Sequence, residues 1–226
     1  MVFEHIFFDL DHTLWDFNTN AALAYKRCFD EMKIDMPVER FLPVYRLVNE
    51  RYWELYRNGE VTKEQLKYGR LKDSFDLLEY SISEEKILVL ADLFLKYLPM
   101  FNHLFDGARE VLDYASRKYR LHIITNGFDE VQLPKLENAD IARYFDTVVT
   151  AEQAGARKPD SDIFVRAFQQ SKAIPHYSLM IGDSYEADIL GAIQVGMSAV
   201  LFDPENKSIG KHAPRIIELR ELFDII

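Results

Sequence analysis

The feature that most constrains this chain is a set of five short, largely apolar runs in which polar residues do not alternate. They occupy residues 5–8, 121–124, 147–149, 179–181 and 199–202. A strand with one wet face alternates apolar and polar side chains. A strand buried on both faces does not, and such strands belong to parallel sheets covered by helices. Between the later runs lie amphipathic helical patterns. One is Ala108, Val111, Leu112, Ala115 and Tyr119, and another is Ile163, Phe164, Ala167 and Phe168. A third begins after Asp188 and continues through Ile189, Ala192 and Ile193. Strand and helix in alternation predict an α/β fold, a Rossmann-like doubly wound parallel sheet with right-handed crossovers.

One stretch interrupts that alternation. From about residue 15 to residue 105 the pattern is helix after helix, with apolar positions at helical spacing around Leu23, Phe29, Leu42, Tyr45, Val48, Tyr52 and Leu55. Asn58-Gly59 reads as a helix stop, and Thr62 followed by Gln65 reads as a capping box that starts the next helix. Ser81 or Ser83 caps a further helix through Ile87, Leu90, Phe94 and Tyr97, which Pro99 ends. The expected organisation is therefore a Rossmann-like core of residues 1–14 and 105–226, with an all-helical domain of residues 15–104 inserted after the first strand.

Bulk properties narrow the choice of partners. The chain has 226 residues and a formal net charge of -10. An acidic surface repels nucleic-acid backbones and anionic lipid, so neither a nucleic-acid polymer nor a membrane is expected as partner. An anionic small substrate would then need a local cation. The single cysteine, Cys28, excludes an intrachain disulfide, and the N-terminal residues carry acids rather than a basic start before an apolar run. Both features lead to an expected cytoplasmic location.

Four clusters could carry chemistry, and each falls where a predicted strand ends. Asp9-Leu10-Asp11-His12-Thr13 follows the first strand, and alternation throws the Asp9 and Asp11 carboxylates to one side. Two close carboxylates need a cation or a shared proton. Thr125-Asn126-Gly127 can turn backbone N–H groups and a hydroxyl toward an anion. In Lys158-Pro159 the proline keeps the lysine out of a helix and fixes the local backbone, which makes a placed positive charge. Gly182-Asp183-Ser184-Tyr185-Glu186-Ala187-Asp188 leaves the fourth strand with Asp183 at the same edge as Asp9, and a crowded acidic edge of oxygen ligands suits Mg²⁺. Asp188 is expected in the first turn of the following helix.

Taken in order, these clusters resemble the four motifs of the haloacid dehalogenase-like hydrolase superfamily: Asp9-x-Asp11-x-Thr13, Thr125, Lys158-Pro159 and Gly182-Asp183-x-x-x-x-Asp188. The helical insert resembles that superfamily's cap of the first type. The resemblance implies that Asp9 is a nucleophile forming an aspartyl-phosphate, and that Asp11 protonates the leaving oxygen and then activates water. It implies that Thr125, the Asn126 N–H and Lys158 hold the phosphoryl group. Mg²⁺ would sit on the Asp9 carboxylate, the Asp11 main-chain carbonyl and Asp183, with Asp188 supporting. Dehalogenases and phosphonatases of this fold lack the second motif aspartate, so Asp11 points to phosphate esters. His12 stands where Gly or Asp is commoner, and Ser161 stands where a proline is frequent but can still cap a helix.

Three stretches resemble the pyrimidine-type nucleoside 5′-monophosphate phosphatases of this superfamily. They are the run from Asp9 through Trp15-Asp16-Phe17, the segment Tyr56-Arg57-Asn58-Gly59-Glu60-Val61-Thr62, and Thr125-Asn126-Gly127-Phe128 with Gln132 and Lys135-Leu136. The expected activity is hydrolysis of a small phosphorylated metabolite, a nucleoside monophosphate, with a base stacking on Trp15, Phe17, Tyr52 or Trp53. The alternatives within the fold are a sugar-phosphate or glycolate-phosphate phosphatase and a phosphosugar mutase. From other classes come a phospho-accepting signalling protein and a non-catalytic binding protein. A signalling receiver would carry its acceptor after the third strand, where this chain has no lone aspartate. A binding protein would have little reason to keep Asp9, Asp11, Lys158 and Asp183 together.

Overall fold

The structure, a computed structural model, describes residues 3–206 and 213–226. It divides into two compact units: Met1–Phe17 with Asn102–Ile226, and Asn18–Phe101.

The first unit is built on a parallel sheet. Its strands are β1 (His5–Phe8), β2 (Arg120–Thr125), β3 (Phe145–Thr150), β4 (Ser178–Gly182), β5 (Ser198–Phe202) and β6 (Arg215–Ile216), and their order across the sheet is β3-β2-β1-β4-β5-β6. Every neighbouring pair is parallel. All four residues of β1 and all five of β4 are buried, which is why these segments carry no polar alternation. The sheet bears out the expected parallel α/β core. The helices of this unit are α5 (Ala108–Ala115), α6 (Asp129–Asn138), the short α7 (Ala151–Ala154), α8 (Ser161–Ser171) and α9 (Gly191–Gln194). Phe7, Ile124, Val149, Met180 and Leu201 from the strands pack with Ile163, Phe164, Ala167, Ile189 and Ala192 from the helices into one buried cluster.

The strand order reverses direction at β1: successive strands step outward to β2 and β3 on one side and to β4, β5 and β6 on the other. The carboxyl ends of β1 and β4 therefore flank the switch in strand order, the usual place for a ligand in an open α/β sheet.

Four details depart from the reading of the sequence. The helix that was expected to begin after Asp188 starts at Tyr185, as a wide π turn over Tyr185–Leu190, because the Ser184 side chain accepts from Ala187 N and caps it early. The first amphipathic pattern gives a helix that stops at Ala115, leaving Tyr119 in the turn that leads straight into β2. The cap of α8 is Asp160, whose side chain accepts from Asp162 N, and Ser161 is the first helical residue. The two-residue strand β6 was not anticipated; a pair of residues is too short to show a period.

The second unit is helical. Helix α1 (Phe17–Met32) enters it, and α2 (Val38–Arg57), α3 (Lys63–Leu77) and α4 (Glu84–Tyr97) complete it. The Asn58-Gly59 stop is real, with Gly59 at φ 74°. Thr62 accepts from Gln65 N while the Gln65 side chain accepts from Thr62 N, a complete capping box. Ser83 caps α4. Aromatic rings fill the interior: Tyr25 stacks on Phe94 with centroids 4.2 Å apart, and Phe29, Phe41, Tyr45 and Phe75 surround them. Among the described residues no helix is long and apolar enough to cross a membrane.

Candidate active site

The chain leaves β1 at Phe8, and Asp9 N still donates to Ile181 O of the neighbouring β4 at 2.9 Å. That bond holds the Asp9 backbone against the sheet and leaves its side chain at the carboxyl edge. The carboxylate is almost wholly buried. Its partner is Lys158, whose Nζ donates to Asp9 Oδ1 at 2.5 Å and to Ile124 O at 2.7 Å. The same Nζ lies 2.6 Å from Asp188 Oδ1, as an ion pair off the hydrogen-bond direction. Lys158 is itself buried, and its backbone is fixed from the second motif. Asn126 Nδ2 donates to Lys158 O at 3.0 Å, and Lys158 N donates to Asn126 Oδ1 at 2.8 Å. The Asn126 side chain therefore places the lysine.

Asp9, Asp183 and Asp188 form one acidic group, with a carboxylate oxygen from each lying within 4.8 Å of the others. Asp183 Oδ1 accepts from Thr13 Oγ1 at 3.3 Å, and Asp188 Oδ2 accepts from Ser184 N at 3.0 Å. Gly182 is what admits Asp188, since a Cβ at position 182 would stand 2.2 Å from Asp188 Oδ2. Burial pushes the Asp9 carboxyl well above its ordinary range; Lys158 pulls it back, and Asp188 and Asp183 raise it further. Asp183 is pushed up to about 7, by burial first and then by Asp188. Lys158 loses by burial and gains more from Asp188 and Asp9, so its ammonium is held charged. Two buried carboxylates, Asp9 and Asp188, and the half-buried one of Asp183 thus face one ammonium. Groups of this kind are uphill without a further cation. Hard oxygen donors, two of them strained toward their neutral forms, fit a divalent ion of the Mg²⁺ type.

Asp11 is not a member of that acidic group. Lys135 Nζ on α6 donates to both of its oxygens, at 2.7 and 2.8 Å, and Gln132 Nε2 lies 3.3 Å from Oδ2. The two neighbouring carboxylates of the first motif thus each have their own lysine. In the sequence Gln132 and Lys135 stand only within a stretch of resemblance, without a role of their own. The signal that could have found them is their i, i+3 spacing on a helix that begins just after Thr125-Asn126-Gly127, which puts both on one face. The loop from Leu10 to Trp15 is closed by backbone bonds, including Trp15 N to Leu10 O at 2.9 Å and His12 N to Trp15 O at 2.9 Å. His12 sits there at φ 67°, a left-handed conformation that costs Gly nothing and Asp little. That is the physical content of the unusual histidine.

Thr125 is buried at the end of β2, where its Oγ1 accepts from Gly127 N at 3.0 Å. Its neighbour Ile124 supplies the carbonyl that Lys158 grips. Asp9, Asp11 and Asp183 therefore lie just past the carboxyl ends of β1 and β4, Thr125 ends β2, Lys158 lies on the segment before α8, and Asp188 stands in the π turn that follows β4.

The chain is similar to known proteins along most of its length. The chain is 33% identical over 200 residues to pyrimidine 5′-nucleotidase YjjG of Escherichia coli, covering 88% of this chain and 85% of that one. It is 32% identical over 205 residues to a glyceraldehyde 3-phosphate phosphatase of Methanothermobacter thermautotrophicus, with the same 88% and 85% coverage. The crystal structure of the putative HAD-hydrolase YfnB from Bacillus subtilis, bound to magnesium, superposes with a TM-score of 0.89 at 25% identity, covering 100% of this chain and 99% of that one. Residues 3–196, the span that contains Asp9, Asp11, Thr125, Lys158, Asp183 and Asp188, match a family described as haloacid dehalogenase-like hydrolase, and the chain belongs to that family.

Proposed function

We propose that this hydrolase is a Mg²⁺-dependent phosphatase that cleaves small phosphate monoesters through an aspartyl-phosphate on Asp9. The observation that carries the reading is the buried Asp9 carboxylate, clasped by Lys158 at 2.5 Å and grouped with Asp183 and Asp188 at the strand switch point. A carboxylate is a weak nucleophile in water. Burial strips its solvation, and a fixed lysine restrains one oxygen.

In the first step a lone pair of Asp9 forms a bond to phosphorus, and the bond from phosphorus to the ester oxygen breaks. Asp11 delivers a proton to that oxygen, so an alcohol leaves. In the second step water attacks phosphorus, Asp11 takes its proton, and the acyl–phosphate bond breaks to return Asp9 and free phosphate. Lys158, the Thr125 hydroxyl and the Asn126 N–H hold the phosphoryl oxygens through both steps. The Asp9 and Asp183 carboxylates and the Asp11 main-chain carbonyl would hold Mg²⁺, with Asp188 supporting, and the ion would supply positive charge against the phosphoryl oxygens. Positioning and electrostatic stabilisation are what phosphoryl transfer asks of a protein. Residues 15–104 act in this reading as the cap that selects the ester.

The proposed substrates are nucleoside 5′-monophosphates, met in the cytoplasm. The support is the likeness to YjjG, named a pyrimidine 5′-nucleotidase, and the three stretches quoted for that resemblance. A second reading, a triose- or sugar-phosphate phosphatase, has its own observation: the relative named a glyceraldehyde 3-phosphate phosphatase aligns with the same coverage at 32% identity. A panel of phosphate esters, assayed for released phosphate with Mg²⁺ and with EDTA, separates them. Pyrimidine monophosphates turned over at least about 10-fold faster than triose and sugar phosphates support the first reading. The opposite ranking selects the second, and an isomeric sugar phosphate as product would mean a mutase. Turnover in EDTA equal to that in Mg²⁺ would contradict the metal's part.

A further inference from the structure

We propose that Lys135, assisted by Gln132, is a positioning residue for Asp11. This rests on the phosphatase reading, in which Asp11 moves the protons. Lys135 is 1% exposed, yet its ammonium donates to both Asp11 oxygens, at 2.7 and 2.8 Å. Removing an ammonium from water is unfavourable unless strong partners replace it. The partner here is the one acid that the proposed reaction needs to be free to exchange protons. A surface lysine would make such a pair loosely, because its stem samples many rotamers. This one has no such freedom, for its Nζ sits 4.5 Å over the Trp15 ring, within cation–π range.

The chain around the pair is shaped to permit it. Gln132, three residues earlier on α6, brings Nε2 to 3.3 Å from Asp11 Oδ2. It can do so only because residue 127 is glycine: a Cβ there would lie 1.9 Å from Gln132 Nε2. Gly127 therefore serves the first motif across space. Asp11 lies on a turn closed by the backbone bonds of Leu10, His12 and Trp15, and those bonds fix where the residue is. They do not fix the direction of its carboxylate. The two donors from α6 supply that direction, as Lys158 does for Asp9. A proton donor turned away by one rotamer forfeits its contact with the leaving oxygen, and small misplacements of this kind lower rates by up to about 100-fold.

The test is a double-mutant cycle on the ester that the wild-type enzyme hydrolyses fastest, with saturating Mg²⁺. Lys135→Met is expected to lower kcat by about 10- to 100-fold and to leave KM within about threefold. Asp11→Asn lowers kcat further. The double variant is expected to match Asp11→Asn within about threefold, because a lysine that acts only through Asp11 has nothing left to position. A merely structural lysine would instead multiply the two losses, and that result, or a Lys135→Met enzyme with wild-type kcat, overturns the proposal. Gln132→Leu, which keeps the lysine, is expected to show the same coupling on a smaller scale, and it carries the test if Lys135→Met lacks the wild-type far-UV spectrum. A wild type that releases no phosphate, or an Asp11→Asn enzyme with full turnover, overturns the phosphatase reading itself and the positioning role with it.

Discussion

A methyl group on residue 182 would stand 2.2 Å from Asp188 Oδ2 and 2.3 Å from Asp188 Cγ, closer than any real Cβ contact. Gly182→Ala must therefore displace Asp188 and, through the 2.6 Å pair with Lys158, disturb the lysine on Asp9. The expected result is a kcat lowered by at least about 10-fold and a higher Mg²⁺ requirement, with the helix content of the protein intact. An alanine variant with wild-type turnover and metal dependence would show that Asp188 is idle. Asp183 makes a different point. Its carboxyl is pushed up to about 7, mainly by burial, above the value an unfolded chain gives it. The folded state then binds protons more readily, so the metal-free protein gains from this group as pH falls from about 7 toward 4, and is penalised above 7. In EDTA at pH 8, Asp183→Asn is expected to raise Tm, and the gain should fade at pH 5. A lower Tm at pH 8 in EDTA would show that the site is not strained by its own charge. With Mg²⁺ present the wild type is expected to be the more stable of the two, since only it can bind the ion fully.

At the scale of elements, the parts that were legible are those whose sequence signal is local. The strands β1, β2, β4 and β5 show as apolar runs because helices cover both faces of the sheet. The capping box at Thr62 and Gln65 shows because two residues three apart satisfy two helix N–H groups between them. Thr62→Ala removes one of those bonds at an exposed helix start. It is expected to lower the unfolding free energy of the helical unit by about 1 kcal/mol, read by chemical denaturation, with no effect on kcat. An unchanged denaturation midpoint would mean that α3 is held by packing alone. The parts that were not legible depend on neighbours distant in sequence. The π turn at Tyr185–Leu190 has no period to announce it, and its start is set by Ser184. Lys135 reads locally as one more charged residue on a helix. Only the fold brings Asp11, more than a hundred residues earlier, to its ammonium. Strand alternation places the Asp9 and Asp11 carboxylates on one side, where they need a cation or a shared proton. In the structure the acids grouped with Asp9 are Asp183 and Asp188, because adjacent parallel strands end level with one another: Phe8 stands beside Ile181.

For the whole molecule, the strand order does the gathering. Residues near positions 9, 125, 158 and 183 are far apart along the chain, yet β2, β1 and β4 lie side by side. Their carboxyl ends therefore bring the motifs of Asp9, Thr125 and Asp183 to one edge, where Lys158, on the segment before α8, meets Asp9. The formal charge of -10 makes that edge a poor place for a phosphate unless positive charge is concentrated there. Lys158, Lys135 and the divalent ion that the acidic group fits would provide it. The account stands on Asp9 as the atom-bearing nucleophile. The direct measurement is rapid quenching of enzyme mixed with a ³²P-labelled ester and Mg²⁺, followed by counting acid-stable, hydroxylamine-labile label on the protein. The account predicts label on the wild-type chain, mapped to the peptide that contains Asp9, and none on Asp9→Asn, whose turnover falls by at least about 1,000-fold. Labelling of Asp9→Asn at the wild-type level, or full turnover by that variant, would contradict it.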